Sequence, residues 1–184
     1  VDITSNDIYA IQDEKVIKTS SPVGEDLFSL LDQLKEKGYT HLIGLFLSGG
    51  ISGTSNQMRL FCQTYDGLTC HVVDSQSASV GLGIIAIALA KYREEGKSFE
   101  ELVRIADELC HQNYAYFSID DLNYLQKGGR IGKASAFLGT TLKIKPILSF
   151  EKEKGEIYVP SKVRGSKKVK SKLIDLIENQ VKEN

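Results

Sequence analysis

His41-Leu42-Ile43-Gly44-Leu45-Phe46-Leu47 runs directly into Ser48-Gly49-Gly50-Ile51-Ser52-Gly53-Thr54. The first half is a nearly continuous apolar run, as a strand in a parallel sheet covered on both faces requires. The second half is a tight glycine-rich loop that feeds a helix predicted over Thr54 to Tyr65. Downstream, Thr69 to Val73 reads as a second short strand. It leads into Asp74-Ser75-Gln76-Ser77, residues that cap helices and turn chains, and then into a long helix ending at Gly96. Ser98-Phe99-Glu100-Glu101 has the form of a capping box opening another amphipathic helix to about Gln112, and Tyr114 to Ile119 reads as a third strand. Upstream, Ser21-Pro22 reads as an N-cap with Pro at the first helical position, followed by Leu27, Leu30, Leu31 and Leu34 at helical spacing until Gly38. Strand and helix alternate, so the expected fold is α/β with a mainly parallel sheet flanked by helices. Ligands of such sheets sit beyond the carboxyl ends of the strands, where the loops at Ser48 and Asp74 lie.

After Asp120 the pattern changes. A short helix, a Gly128-Gly129 break and a small-residue helix near Lys133 to Leu142 precede an apolar strand from Ile144 to Phe150, and Lys154-Gly155 marks a hairpin turn. The last helix, from about Ser166, carries Val169, Leu173, Leu176 and Ile177 on one face and many lysines on the other. With 184 residues, 41% of them hydrophobic and 26% charged, the chain can bury a substantial core. A formal charge of −1 gives no electrostatic footprint for nucleic acid, and the most apolar run, Val80 to Ala90, is too short to span a bilayer. Cys62, Cys70 and Cys110 are odd in number and unremarkably spaced, which fits reduced thiols in the cytoplasm. The sequence begins at Val1 with neither an export signal nor an initiator Met, so it is expected to start within a longer protein.

The loop Ser48 to Thr54 carries the most chemistry. Glycines let backbone N–H groups converge on an anion, the following helix adds the positive end of its dipole, and Ser48, Ser52 and Thr54 add hydroxyls. No Lys follows its last Gly, so it is not a Walker A loop. It also lacks the Gly-x-Ser-x-Gly spacing of a nucleophile elbow. An ordinary strand-to-helix turn is the other reading. Lys18-Thr19-Ser20-Ser21-Pro22 is a second hydroxyl cluster, read locally as a helix cap, and Arg130 after Gly128-Gly129 offers a guanidinium that could face an anion. His41, His71 and His111 lack metal-ligand spacing, and no metal site is expected.

Several segments, in order, resemble the DegV family. Lys18 to Glu25 is similar to its T-S-x-P-x-x-G-E/D stretch, Ser48 to Thr54 to its S-S-G-L-S-G-T loop, and Val73 to Ser79 to its V-D-S-x-x-A-S segment. Asp120-Asp121-Leu122 through Arg130-Ile131 matches D-D-L-x-x-L-x-K-G-G-R-I, and Lys143 to Leu148 and Lys162-Val163-Arg164 complete the set. The resemblance implies a two-domain lipid carrier, not an enzyme. Residues 1–113 would form the first α/β domain without its opening strand, and 114–184 part of a second α/β domain, truncated at its C-terminal end. A long-chain fatty acid such as palmitate or oleate would lie in an apolar tunnel between them. By the same resemblance its carboxylate would be held by Thr19, Ser20 and Ser48 with the amides of Gly49 and Gly50. Arg130 is a further candidate, and Phe137, Leu138, Leu142, Ile144 and Ile147 are candidate tunnel walls. The family's partner is a separate ATP-dependent fatty acid kinase subunit that phosphorylates the presented carboxylate, in phospholipid metabolism. Where the family has a second loop serine this chain has Gly49, so an amide, Ser48 or a water would take that place.

Two rival readings come from other classes. A phosphoryl- or acyl-transfer enzyme would use the Ser48–Thr54 loop, against which stands the lack of a marked general base, Walker lysine or metal-binding carboxylates. A protein-docking module would use the basic face of the last helix, Lys162 to Lys172, which as a solvated helix face needs no partner.

Overall fold

A computed structural model describes residues 3–12, 14–139 and 144–183. Helices α1 (Ser5–Ile11) and α2 (Gly24–Glu36) precede strand β1 (His41–Phe46), helix α3 (Thr54–Thr64) and strand β2 (Thr69–Asp74). Helices α4 (Val80–Glu94), α5 (Phe99–Gln112) and α6 (Asn123–Lys127) follow, then a 3-10 helix (Gly132–Phe137), strands β3 (Ile144–Phe150) and β4 (Ile157–Arg164), a second 3-10 turn (Ser166–Lys168) and α7 (Val169–Glu183).

β1 and β2 pair in parallel, from His41 opposite Thr69 to Phe46 opposite Asp74, with α3 as the crossover between them. Strand periodicity divides their side chains between two cores. Leu42, Phe46, Cys70 and Val72 pack against Leu27, Leu31, Met58 and Leu68 on the α2 and α3 side. Ile43, Leu45 and Val73 face Ile85, Ala106 and Cys110 of α4 and α5. Helices therefore cover both faces, which is why the β1 run reads as continuously apolar. β3 and β4 form an antiparallel hairpin, and Leu148, Phe150 and Ile157 build a third core with Ala134. Among the described residues no helix is long and apolar enough to cross a membrane.

The α/β class is as expected, and β1, β2, β3 and the Ser98–Glu101 capping box lie where the sequence puts them: the Ser98 hydroxyl accepts from the Glu101 amide at 3.2 Å, and the Glu101 carboxylate accepts from the Ser98 amide at 2.9 Å. Three details differ. Tyr114 to Ile119 is not a third parallel strand; Phe117 alone bridges, antiparallel, to Leu148. Ala115, Phe117 and Ile119 alternate inward onto the hairpin's core, so this segment follows the second ladder, not the first. Helix α2 begins at Gly24, not Pro22, after an extended Val23 (φ −73°, ψ 154°). There the helix start lies so close to the Phe61 ring that a Cβ on Gly24 would come within 2.7 Å of its Cζ. The helix expected near Lys133 to Leu142 is a 3-10 helix ending at Phe137, with the left-handed Gly132 (φ 51°) and Gly139 (φ 73°) at and just beyond its ends. Leu142 and Lys143 lie outside the described residues.

Candidate ligand site

The glycine loop leaves the carboxyl end of β1 as a tight turn in which the amides of Ile51 and Ser52 both donate to the Ser48 carbonyl, at 3.0 and 3.1 Å. Ser48 is fully buried, and its hydroxyl donates to the Gly155 carbonyl in the β3–β4 turn at 2.6 Å. The Gly49 amide donates to the Asp74 carboxylate, 3.0 Å from each oxygen, and the Gly50 amide donates to Ser48 Oγ at 3.3 Å. The space beside two of these positions is tight, against a side-chain end at Gly49 and against backbone at Gly50. A Cβ on Gly49 would sit 2.5 Å from Asp74 Oδ2, and one on Gly50 would sit 2.5 Å from the Glu156 amide nitrogen and closer still to the Gly155 carbonyl.

The Ser48 hydroxyl and the Gly49 and Gly50 amides thus meet protein partners. The cleft beside them, of about 490 Å³, is lined instead by other hydroxyls: Thr19, Ser20 and Ser21 on one wall, Ser52 and Thr54 on the next. Ser52 Oγ and Thr54 Oγ1 lie 3.0 Å apart, and the Thr54 amide donates to Ser52 Oγ at the start of α3. Arg130 closes this polar end; its Nε donates to the Ile51 carbonyl at 3.1 Å and its Nη1 to the Gly128 carbonyl. Those two carbonyls fix the plane of the guanidinium at the cleft wall. Ile17, Leu47, Ile51, Leu125 and Ile157 supply the apolar lining. The cleft's described lining residues include no carboxylate, imidazole or ammonium.

The structure therefore brings Thr19, Ser20 and Arg130 together and seats Ser48, Gly49 and Gly50 behind them. Phe137, Leu138 and Ile144 line a separate cleft of about 240 Å³ with Asp120, Asp121 and Lys145. Ile147 is fully buried in β3. Ser21 and Tyr124 are additional lining residues; Tyr124 lies four residues before Gly128, which lines the same cleft. Among the described residues no three His, Cys, Asp or Glu side chains come together as a metal site.

A second network joins the β3–β4 turn to the end of α5 and to the loop after β2. Lys152 Nζ donates to the carbonyls of Cys110 (2.8 Å) and Asn113 at the end of α5 and lies 4.5 Å from the centre of the Tyr114 ring. Burial holds the Lys152 ammonium below its ordinary pKa. Asp74 also accepts from the Gln76 amide at 2.9 Å, and Gln76 Nε2 donates to the Lys152 carbonyl.

The family model for DegV, described as an uncharacterised protein of the DegV family, matches residues 1–184. A DegV domain-containing protein of Clostridium acetobutylicum is 35% identical over 182 residues, which cover 99% of this chain and 64% of the relative. A fatty acid binding DegV family protein from Streptococcus agalactiae has a similar structure, with a TM-score of 0.87 and 32% identity over 97% of this chain and 63% of that one. A stearic acid-binding protein from Eubacterium ventriosum aligns with a TM-score of 0.83 and 26% identity, over all of this chain and 64% of that one. The sequence thus spans a little under two thirds of the length of these relatives.

Proposed function

The chain belongs to the DegV family, and from that membership and the cleft's chemistry we propose that it binds a long-chain fatty acid as a carrier, without catalysing a reaction on it. The observation that carries this reading is the pairing, in one cleft, of hydroxyls from Thr19, Ser20, Ser52 and Thr54 with the Arg130 guanidinium and an apolar lining. A carboxylate entering that end exchanges water for charge-assisted hydrogen bonds from hydroxyls and a guanidinium, which offsets its desolvation. Each methylene removed from water adds about 0.8 kcal/mol, so a long acyl chain supplies affinity without further polar contacts. The fatty acid binding and stearic acid-binding proteins to which the chain is similar support the ligand class.

In this reading Thr19, Ser20 and Arg130 touch the carboxylate, and Ser48, Gly49 and Gly50 shape the loop behind it. The tail runs along Ile17, Leu47, Leu125 and Ile157, between an N-terminal unit of residues 1–113 and a C-terminal unit of 114–184. The protein works in the cytoplasm and presents the carboxylate to a separate ATP-dependent fatty acid kinase subunit. A described lining with no carboxylate, imidazole or ammonium favours a carrier over an acyl-transfer enzyme.

Mass spectrometry of lipid extracted from the purified protein tests the reading, followed by oleate titration. Near-stoichiometric fatty acid is expected. A Thr19→Ala/Ser20→Ala variant loses two hydrogen bonds to a charged group and binds oleate about 100-fold more weakly. Protein that is empty and takes up neither oleate nor palmitate refutes the proposal.

A further inference from the structure

The turn between β3 and β4, residues 151–156, touches both loops at the carboxyl ends of the parallel strands. It is closed by its own hydrogen bonds: the Gly155 amide donates to the Glu151 carbonyl and the Glu151 amide to the Glu156 carbonyl, both at 3.0 Å. At one end Lys152 is fastened to the C-terminus of α5 through the Cys110 and Asn113 carbonyls, where a cation also meets the negative end of the helix dipole. Its backbone carbonyl receives Gln76 of the loop after β2. At the other end Gly155 receives the Ser48 hydroxyl, and the Gly155–Glu156 backbone lies directly against Gly50.

We infer that Lys152 is a positioning residue for the proposed fatty-acid site: by anchoring the turn to α5 it presses Gly155 onto Ser48 and Gly50, and so sets the path of Ile51 to Thr54. Those residues carry the consequences to the ligand. Ser52 and Thr54 line the cleft, and the Ile51 carbonyl orients the Arg130 guanidinium. Lys152 itself is not among the cleft's lining residues, so its effect on binding is transmitted through the turn. Sequence separation hides this role, because Lys152 lies 76 residues from Gln76 and 42 from Cys110.

This inference rests on the proposed binding function, and two readouts separate the failure of one from the failure of the other. Lys152→Met removes the ammonium but keeps an apolar stem of similar length; Lys152→Arg keeps the cation. A core variant, Leu102→Ala in α5, serves as a control for general destabilisation. In hydrogen exchange without lipid, Lys152→Met should speed exchange of the Gly50 to Ser52 amides about tenfold, with Lys152→Arg near wild type and Leu102→Ala leaving that loop unchanged. In oleate titration, Lys152→Met should weaken binding about tenfold, the effect expected when a charge-assisted contact that orders the site is lost. Loop exchange unchanged in Lys152→Met, or equally raised in Leu102→Ala, overturns the inference. So does a fall in melting temperature with unaltered oleate affinity. If the wild type binds no oleate, the carrier reading fails, and the exchange data still decide whether Lys152 holds the loop.

Discussion

Gly50→Ala tests the join on which the site depends. The added Cβ would stand 2.5 Å from the Glu156 amide nitrogen and nearer to the Gly155 carbonyl, all backbone atoms of a turn closed by hydrogen bonds. No side-chain rotation relieves that overlap, so the loop must withdraw from the turn. Overpacking of this kind costs about 1–3 kcal/mol. Withdrawal also separates the buried Ser48 hydroxyl from the Gly155 carbonyl, and a buried polar group left without its partner costs about 1–3 kcal/mol more. A net loss of about 3 kcal/mol lowers the melting temperature of a chain this size by about 6–12 °C. Gly129→Ala is the comparator. Gly129 has φ 75° with nothing within 4 Å of a built Cβ, so it should show only the backbone strain of a left-handed residue, about 1 kcal/mol and 2–4 °C. Circular dichroism melts of both variants decide the matter. If Gly50→Ala melts no lower than Gly129→Ala, the loop is not clamped by the turn and the argument from close approach fails.

Arg130→Lys keeps a charge at the cleft but loses the planar fork that reaches the Ile51 and Gly128 carbonyls; oleate affinity should fall about tenfold, and calorimetric titration giving wild-type affinity would refute the assignment. Burial first, and then the neighbouring Cys70 thiol, push Cys62 up to about 12, and burial pushes Cys110 up to about 11. Both thiols therefore stay protonated at about pH 8 and should alkylate far more slowly than a free cysteine, which peptide mapping after a timed iodoacetamide pulse would check. The Ser98 amide, and then Lys97, hold the Glu101 carboxyl below its ordinary value of 4.5. Its contribution to α5 is thus fully present above that value and is lost as pH falls through the lower folded pKa; Glu101→Gln should flatten the acid limb of a stability profile, and an unchanged limb would contradict this. Leu148→Ala, at a fully buried position of β3, should cost about 2–5 kcal/mol in urea unfolding, while Ile87→Ala, 71% exposed on α4, should stay within about 0.5 kcal/mol.

The sequence by itself determined what local chemistry controls. The apolar run of β1 requires two covered faces. The Ser98–Glu101 box closes within one turn of helix, and Gly128-Gly129 ends α6 because the left-handed Gly129 cannot continue it. The ordered motifs were enough to identify the family. Tertiary structure decided where the polar groups of those motifs point. Ser48 reads as a ligand-facing hydroxyl from its loop, yet its proton goes to a carbonyl 107 residues away, and Arg130 takes its orientation from Ile51, 79 residues back. The Tyr114 to Ile119 segment has strand composition, but its bridging partner is set by the core it packs on. The physical reason is common to all three. Propensity and capping act through neighbours along the chain, whereas a buried donor must take whatever acceptor the packed fold brings within hydrogen-bonding distance, and that acceptor is not written beside it.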